Sequence, residues 1–354
     1  LPLYHTAGKL WKGDRALAMS SPPYRPVLTP GSGEGIDPGE KDILMRWGVL
    51  WVEWNDISLY DPDVVVMCDP FFNHPIGDLR AILVNINHGL ISKGLYYTSH
   101  PIALRENRFD LIAVPGPFHL FRLSQVVKKP ILVSGVIKFD PVFQNLLTST
   151  RIRELYATAP DEPVVLFAPT YNPQLSGVPI VRDQVIQWAK QGWRVWVKLH
   201  PMSSSEWGTF YQLISQIEPR VTYLPDLDLT PALVGADVIV TDVSSAIPEA
   251  AILNKPIVLI NNPLQREYPY YDPNDVEYLF RDAGWEVTEP EEIVPTIRYA
   301  LEHPEEKSDC RRRLAEALGG PKDGKAALRV LAAIDYIFRN NRKDDKITIK
   351  PGVS

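Results

Sequence analysis

Short apolar runs alternate with helically spaced runs along this chain, most cleanly in its second half. The segments 130–134 (Pro-Ile-Leu-Val-Ser), 164–168 (Val-Val-Leu-Phe-Ala), 194–199 (Arg-Val-Trp-Val-Lys-Leu), 237–241 and 256–260 (Pro-Ile-Val-Leu-Ile) read as strands. The amphipathic stretches 181–191, 205–217, 246–253, 290–302, 305–318 and 325–340 read as helices. Strands that are apolar at nearly every position must be covered on both faces, which points to a parallel sheet between helix layers. In the first half, Val64 to Met67, Ala81 to Ile86 and Leu111 to Val114 read as strands of a similar sheet, whereas the Pro- and Gly-rich stretch 20–41 reads as loop. The predicted fold class is therefore α/β, with two doubly wound domains facing each other across a cleft. Their expected bounds are 1–140 and 150–335, with a linker around 136–152 and a tail over 336–354. No internal repeat, heptad or low-complexity block interrupts the pattern.

Composition narrows this picture only a little. A chain of 354 residues exceeds what one compact core usually holds, which agrees with two domains. Hydrophobic content of 45% and charged content of 23% are those of an ordinary globular protein. A net charge of −6 argues against a broad nucleic-acid-binding surface, so any anion site must be local. Cys68 and Cys310 lie far apart, form no metal-ligand spacing and suit a reducing cytoplasm. No apolar stretch approaches the about 20 residues that a membrane-spanning helix needs. The chain starts at Leu1, so a preceding segment and any signal on it would be out of view.

In open α/β sheets ligands sit outside the carboxyl ends of the strands, so polar residues there carry the candidate chemistry. The most informative stretch runs from Ala236 to Ala251: an apolar strand, then Thr241-Asp242, the pair Ser244-Ser245, and a helix start. Helix N-termini bind anions through unpaired N–H groups, and the hydroxyls of Thr241, Ser244 and Ser245 would add donors. Glu249, one turn on, would face a ribose or sugar hydroxyl. The plainer reading makes Ser244 or Ser245 only an N-cap. A second cluster follows the strand at 81–86, where His88-Gly89 places an imidazole beside little side-chain bulk and Lys93 could balance phosphate charge. An imidazole suits a general base at neutral pH; the plainer reading is a loop-bonding histidine. A third, Lys198-Leu199-His200-Pro201, puts a cation and an imidazole on one face of an extended segment, or is a capping His-Pro turn. A fourth is Ala168-Pro169-Thr170. Asp61-Pro62-Asp63 and Asp226-Leu227-Asp228 read as turns rather than metal sites. G-x-x-x-x-G-K-[ST], G-x-G-x-x-G and G-x-S-x-G are all absent, and no His and carboxylate spacing marks zinc.

These pieces, in this order, resemble the CDP-glycerol glycerophosphotransferases of teichoic acid and some capsule polymer synthesis. The resemblance runs through Asn87-His88-Gly89 with Lys93, Ser134-Gly135 to Lys138 and Asp140, Ala168-Pro169-Thr170, Lys198 to Pro201, Thr241 to Ser245, and Asp323-Gly324-Lys325 to Val330. It implies a GT-B-like fold, two Rossmann-like domains with an acceptor side first and a nucleotide-donor side second. It also implies transfer of a polyol phosphate, glycerol phosphate foremost, from a CDP-linked donor to an acceptor hydroxyl, with release of CMP. Under it His88 and His200 are catalytic. Lys93, Lys138, Thr170, Lys198, Thr241, Asp242, Ser244, Ser245 and Glu249 hold the donor. No metal and no cofactor is called for beyond the CDP-linked substrate.

The implied partners are that donor, a lipid-linked glycan acceptor and the inner membrane surface, with no nucleic acid and with room for a homo-oligomer. The implied location is cytoplasmic, peripheral at the inner face of the membrane. Three departures bear on the donor: Ile137-Lys138 stands for the usual Pro-Arg, Tyr171-Asn172 where an arginine often follows, and Tyr268-Pro269-Tyr270-Tyr271-Asp272 for a Pro-Gly-rich aromatic motif. The alternatives are a GT-B glycosyltransferase or UDP-sugar 2-epimerase-like enzyme, and a non-catalytic lectin-like or scaffold protein. In the last helix, Leu328, Leu331, Ile334 and Phe338 are expected to face the core. Arg339, Arg342 and Lys343, beside Asp344 and Asp345, or the trio Trp47, Trp51 and Trp54, are the weaker candidates for a lipid-facing surface.

Overall fold

The computed structural model describes residues 15–19, 26–30, 56–68, 81–87, 89–90, 93–225 and 228–345. His88, Asp226 and the trio Trp47, Trp51 and Trp54 lie outside the described residues, as do the side chains of Arg342, Lys343, Asp344 and Asp345.

The first sheet contains β1 (Arg15–Met19), β2 (Pro26–Pro30), β3 (Val64–Met67), β4 (Ile82–Asn85), β5 (Leu111–Val114) and β6 (Ile131–Val133). Its order is β2-β1-β3-β4-β5-β6, with β1 antiparallel to both neighbours and β3 to β6 parallel. Residues 26–30 thus correct the loop expected over 20–41: the Pro-flanked segment pairs as an edge strand, a place where missing ladder donors are tolerated. The second sheet contains β7 (Val164–Phe167), β8 (Arg194–Val197), β9 (Val221–Tyr223), β10 (Val238–Thr241), β11 (Ile257–Ile260) and β12 (Trp285–Val287). It is parallel throughout in the order β12-β11-β10-β7-β8-β9, a doubly wound arrangement that reverses between β7 and β10.

Helices cover both sheets: α1 (Pro117–Leu123), α2 (Ser149–Leu155), α3 (Gln184–Ala189), α4 (Ser205–Ile217), α5 (Thr230–Gly235), α6 (Ala246–Ile252), α7 (Ile293–Glu302), α8 (Ser308–Gly319) and α9 (Ala326–Asp345), with further single turns between them. Strand alternation sorts the apolar side chains cleanly. Val64 and Val66 point to one core, Val65 and Met67 to another. Likewise Val165 and Phe167 join α3, α4 and α7, while Val164 and Leu166 face the opposite side.

That opposite side is shared by both halves. Val65, Ile112 and Val114 of the first sheet and Leu166, Ile239 and Leu259 of the second belong to one apolar cluster, bridged by Ile247 and Ala250 of α6 and Leu314 and Leu318 of α8. Gly116 makes the approach possible, because a β-carbon there would meet the Leu318 backbone at 2.4 Å.

After α8 the chain returns to the first sheet. Val330, Ile334 and Phe338 of α9 pack on Val64, Val66, Val84 and Ala113. Each such side chain, when fully buried, contributes about 1.5–3 kcal/mol. The expected face is corrected in one place: Leu328 is 60% exposed, and Ala326 begins a buried row at four-residue spacing. The stretch 136–152 carries a turn at Ile137–Phe139, a helical turn at Asp140–Phe143 and the start of α2. Asp140 sets the rotation of α9, because its carboxylate accepts from the Ala326 and Ala327 N–H groups at 3.0 and 2.9 Å. Among the described residues no helix is long and apolar enough to cross a membrane.

Candidate functional site at the strand-order reversal

The carboxyl ends of β7 and β10 lie side by side where the sheet order reverses, and the turns leaving them are tied together. Thr241 donates its hydroxyl proton to the Ala168 carbonyl at 2.7 Å. The Asp242 carboxylate accepts from the N–H groups of Thr170 (3.0 and 3.1 Å), Gly177 (2.7 Å) and Val243 (2.6 Å). Burial pushes the Asp242 carboxyl up to about 6, against the pull of those N–H donors and of Arg281. The Arg281 guanidinium in turn donates to the Asp242 carbonyl (3.2 Å), Asn261 (2.6 Å) and Glu286 (2.8 Å).

This is a brace between the two turns, and it engages polar groups of Thr241 and Asp242 within the protein. Both are fully buried, and Thr241's proton and Thr170's N–H are committed inside the protein. Strand β10 is buried at all four of its residues.

Ser244 and Ser245 do reach the surface, half-buried at the start of α6. Ser244 accepts from the Ala246 N–H at 3.2 Å, and Ser245 occupies the N-cap position without a side-chain cap bond. Glu249, one turn on, is 2% exposed. Its Oε1 lies 2.6 Å from Lys138 Nζ, and its Oε2 has no hydrogen-bond partner. The expected free carboxylate facing a ligand hydroxyl is therefore half engaged already. Lys138 enters from the turn after β6, so this pair joins the two halves.

The loop after β4 runs against the same pair. A β-carbon on Gly89 would lie 3.5 Å from Glu249 Oε1 and 3.9 Å from Lys138 Nζ. Buried Asn85 fixes the root of this loop, donating to both Glu106 oxygens at 2.8 and 2.9 Å and accepting from the Asn87 N–H at 3.0 Å. Asn87, at φ 51°, in turn donates to the Ala113 carbonyl at 3.1 Å.

Lys198 and His200 follow β8, the strand next to β7. Both line a cavity of about 200 Å³ together with Ser203, Ser204, Tyr223 and Pro225. Lys198 is buried and donates to the Leu199 carbonyl at 3.1 Å. His200 Nδ1 accepts from the Met202 N–H at 3.1 Å, so the neutral ring carries its proton on Nε2. Lys93 Nζ sits 5.8 Å from the Tyr171 ring and 5.9 Å from the Tyr268 ring.

Arg281 and the Asn85–Glu106 pair position the site and were not singled out for it in the sequence, whereas Asp140 was noted only within the family resemblance. Nothing local marks Arg281, whose partners come from three separate segments. Among the described residues no three His, Cys, Asp or Glu side chains gather as a metal site needs.

Residues 104–336 match the family described as CDP-Glycerol:Poly(glycerophosphate) glycerophosphotransferase, which is more than half of the chain. The chain belongs to this family. Within the glycerophosphotransferase match lie Lys138, Thr170, Lys198, His200 and the whole β10–α6 turn, whereas His88 and Lys93 precede it.

The chain is also 34% identical over 101 residues to the teichoic acid glycerol-phosphate primase of Bacillus subtilis (strain 168). That alignment covers 27% of this chain and 24% of the primase, about a quarter of the relative's length. In structure the chain is similar to the wall teichoic acid polymerase TagF, in a variant soaked with CDPG, at a TM-score of 0.66 and 13% identity over 88% of this chain and 81% of that one. It is similar as well to S. aureus MnaA with UDP, at a TM-score of 0.56 and 15% identity over 89% of each chain. At these identities the likeness is one of fold, and the fold is a GT-B-like α/β arrangement of two halves, each with a mainly or wholly parallel sheet.

Proposed function

We propose that this chain moves glycerol phosphate from a CDP-linked donor to a hydroxyl of a polyol phosphate or glycan acceptor, releasing CMP, in synthesis of a teichoic acid or similar polymer. The observation that carries the reading is the family match over 104–336, which spans the β7–β10 crossing and the polar clusters around it.

In this mechanism the acceptor oxygen attacks the β-phosphorus of the donor. A new P–O bond forms, the bond to the bridging oxygen breaks, and its electron pair leaves on CMP. His88, as general base, takes the acceptor proton. His200, donating from Nε2, and the Lys198 charge offset the negative charge that builds on the departing phosphate. Ser244 and Ser245, half-buried where Thr241 and Asp242 are fully buried, supply hydroxyls to the donor's phosphates. Phosphoryl transfer needs mainly positioning and charge stabilisation, so no covalent protein intermediate is invoked. No cofactor enters the reading. A lipid-linked acceptor would bring the enzyme to the inner membrane surface as a peripheral protein.

The test is a thermal-unfolding titration with CDP, UDP and GDP, with and without Mg²⁺. CDP at 100 times its Kd should add about 2.7 kcal/mol of stability, with smaller effects from the other two. A preference for UDP would replace this reading with a sugar transferase or epimerase.

A further inference from the structure

We propose that the aromatic rim around Lys93 is an acceptor subsite that stacks a pyranose ring and reads a phosphate attached to it. The proposal rests on the transferase reading above and goes beyond it, because it separates cyclic from acyclic acceptors.

The rim is continuous and built from both halves of the molecule. It starts at His200, whose ring lies 4.9 Å from that of Tyr171 at a tilt of 38°. Lys93, from the loop after β4, places Nζ between Tyr171 and Tyr268 at 5.8 and 5.9 Å from the two ring centroids. The Tyr268 ring lies 5.7 Å from that of Tyr270, and Tyr270 meets His100, again from the first half, at 5.9 Å. Tyr270 is 56% exposed at the outer end. Among the described residues Lys93 forms no ion pair, so its charge is held against π faces rather than neutralised by a carboxylate.

Tyr171, Tyr268 and His100 are half-buried and His200 and Tyr270 exposed, so these rings form one contiguous aromatic surface of the kind that marks a binding site. Their flat faces have little to offer an acyclic polyol phosphate, which would use Lys93 alone. A pyranose ring presents a flat C–H face that stacks on tyrosine, and its phosphate meets the cation lying between the rings. The rim also begins at His200, the residue proposed to stabilise the leaving group.

The test uses the full chain with CDP saturating the donor side and calorimetric titration of two probes, glucose 1-phosphate and glycerol 3-phosphate. Glucose 1-phosphate is expected to bind the more tightly. Tyr270→Ala should weaken it about 3- to 10-fold, the usual worth of one aromatic contact, while Tyr270→Phe keeps wild-type affinity. Lys93→Ala should weaken both probes, and CDP affinity should not change in the Tyr270 variants. Equal binding of the two probes, or indifference of glucose 1-phosphate to Tyr270→Ala, overturns the proposal while leaving the transferase reading intact. Failure of CDP itself to bind the wild-type chain overturns the reading on which the proposal rests.

Discussion

Replacing Asp242 with asparagine tests the brace between the two turns through its pH dependence. The wild-type carboxyl is fully buried and held up at about 6, whereas an unfolded aspartate titrates near 3.8. The folded state therefore binds the proton more readily than the unfolded state between these values. Stability from this group is present at low pH and is lost as pH rises through about 6. Keeping the charge at neutral pH costs about 3 kcal/mol, from the difference between the two values. Linkage over a narrower window gives a gain of about 1.4 kcal/mol for the wild type on going from pH 7 to pH 5.

Asparagine cannot make that gain, because its amide does not titrate. It also turns a donor toward backbone N–H groups that now meet carboxylate oxygens, at a cost of about 1–3 kcal/mol for each one left unsatisfied. Urea denaturation of both proteins at pH 7, 6 and 5 measures the difference. The wild type should gain on the variant steadily as the pH falls. A difference that stays constant, or that moves in the variant's favour, would refute the raised carboxyl and with it the account of the brace.

Two further outcomes follow from the same geometry. Lys138→Ala leaves the nearly buried Glu249 without its cation and should destabilise the protein by on the order of 3 kcal/mol in denaturant, most of which the Lys138→Ala/Glu249→Gln double variant restores. Equal stabilities of the single and double variants would show that the pair does not bind the halves together. Thr241→Val loses the bond to Ala168 and should cost about 1 kcal/mol with CDP affinity unchanged, since the hydroxyl is committed to that carbonyl. A marked loss of CDP affinity in that variant would place Thr241 at the ligand after all.

The sequence displays the strands that are buried on both faces, since Val64 to Met67 or Val164 to Phe167 have no polar position to break the run. It conceals β9 (Val-Thr-Tyr) and β12 (Trp-Glu-Val), where a polar residue interrupts a three-residue strand, unlike the all-apolar β6 of equal length, and β2, whose prolines look like loop until a neighbouring strand pairs with it. The register of α9 is hidden for a different reason. Apolar residues at 328, 331, 334 and 338 offer one face, but the Asp140 cap far upstream fixes the helix start and turns the face to 326, 330, 334 and 338.

At the site, the strand-end clusters are visible as polar residues after apolar runs, and the structure gathers most of them around the β7–β10 crossing. Which of them face inward is less visible. The Lys138–Glu249 pair and the Arg281 contacts are invisible locally, because each joins segments far apart along the chain.

The most direct measurement of the central claim is CMP release from CDP-glycerol by the purified chain, with a glycan or polyol phosphate acceptor present. The account predicts acceptor-dependent CMP, with His88→Ala lowering turnover by about 10²–10⁴ while CDP still binds. Wild-type turnover in His88→Ala, or turnover of a UDP-sugar with CDP-glycerol untouched, would contradict it.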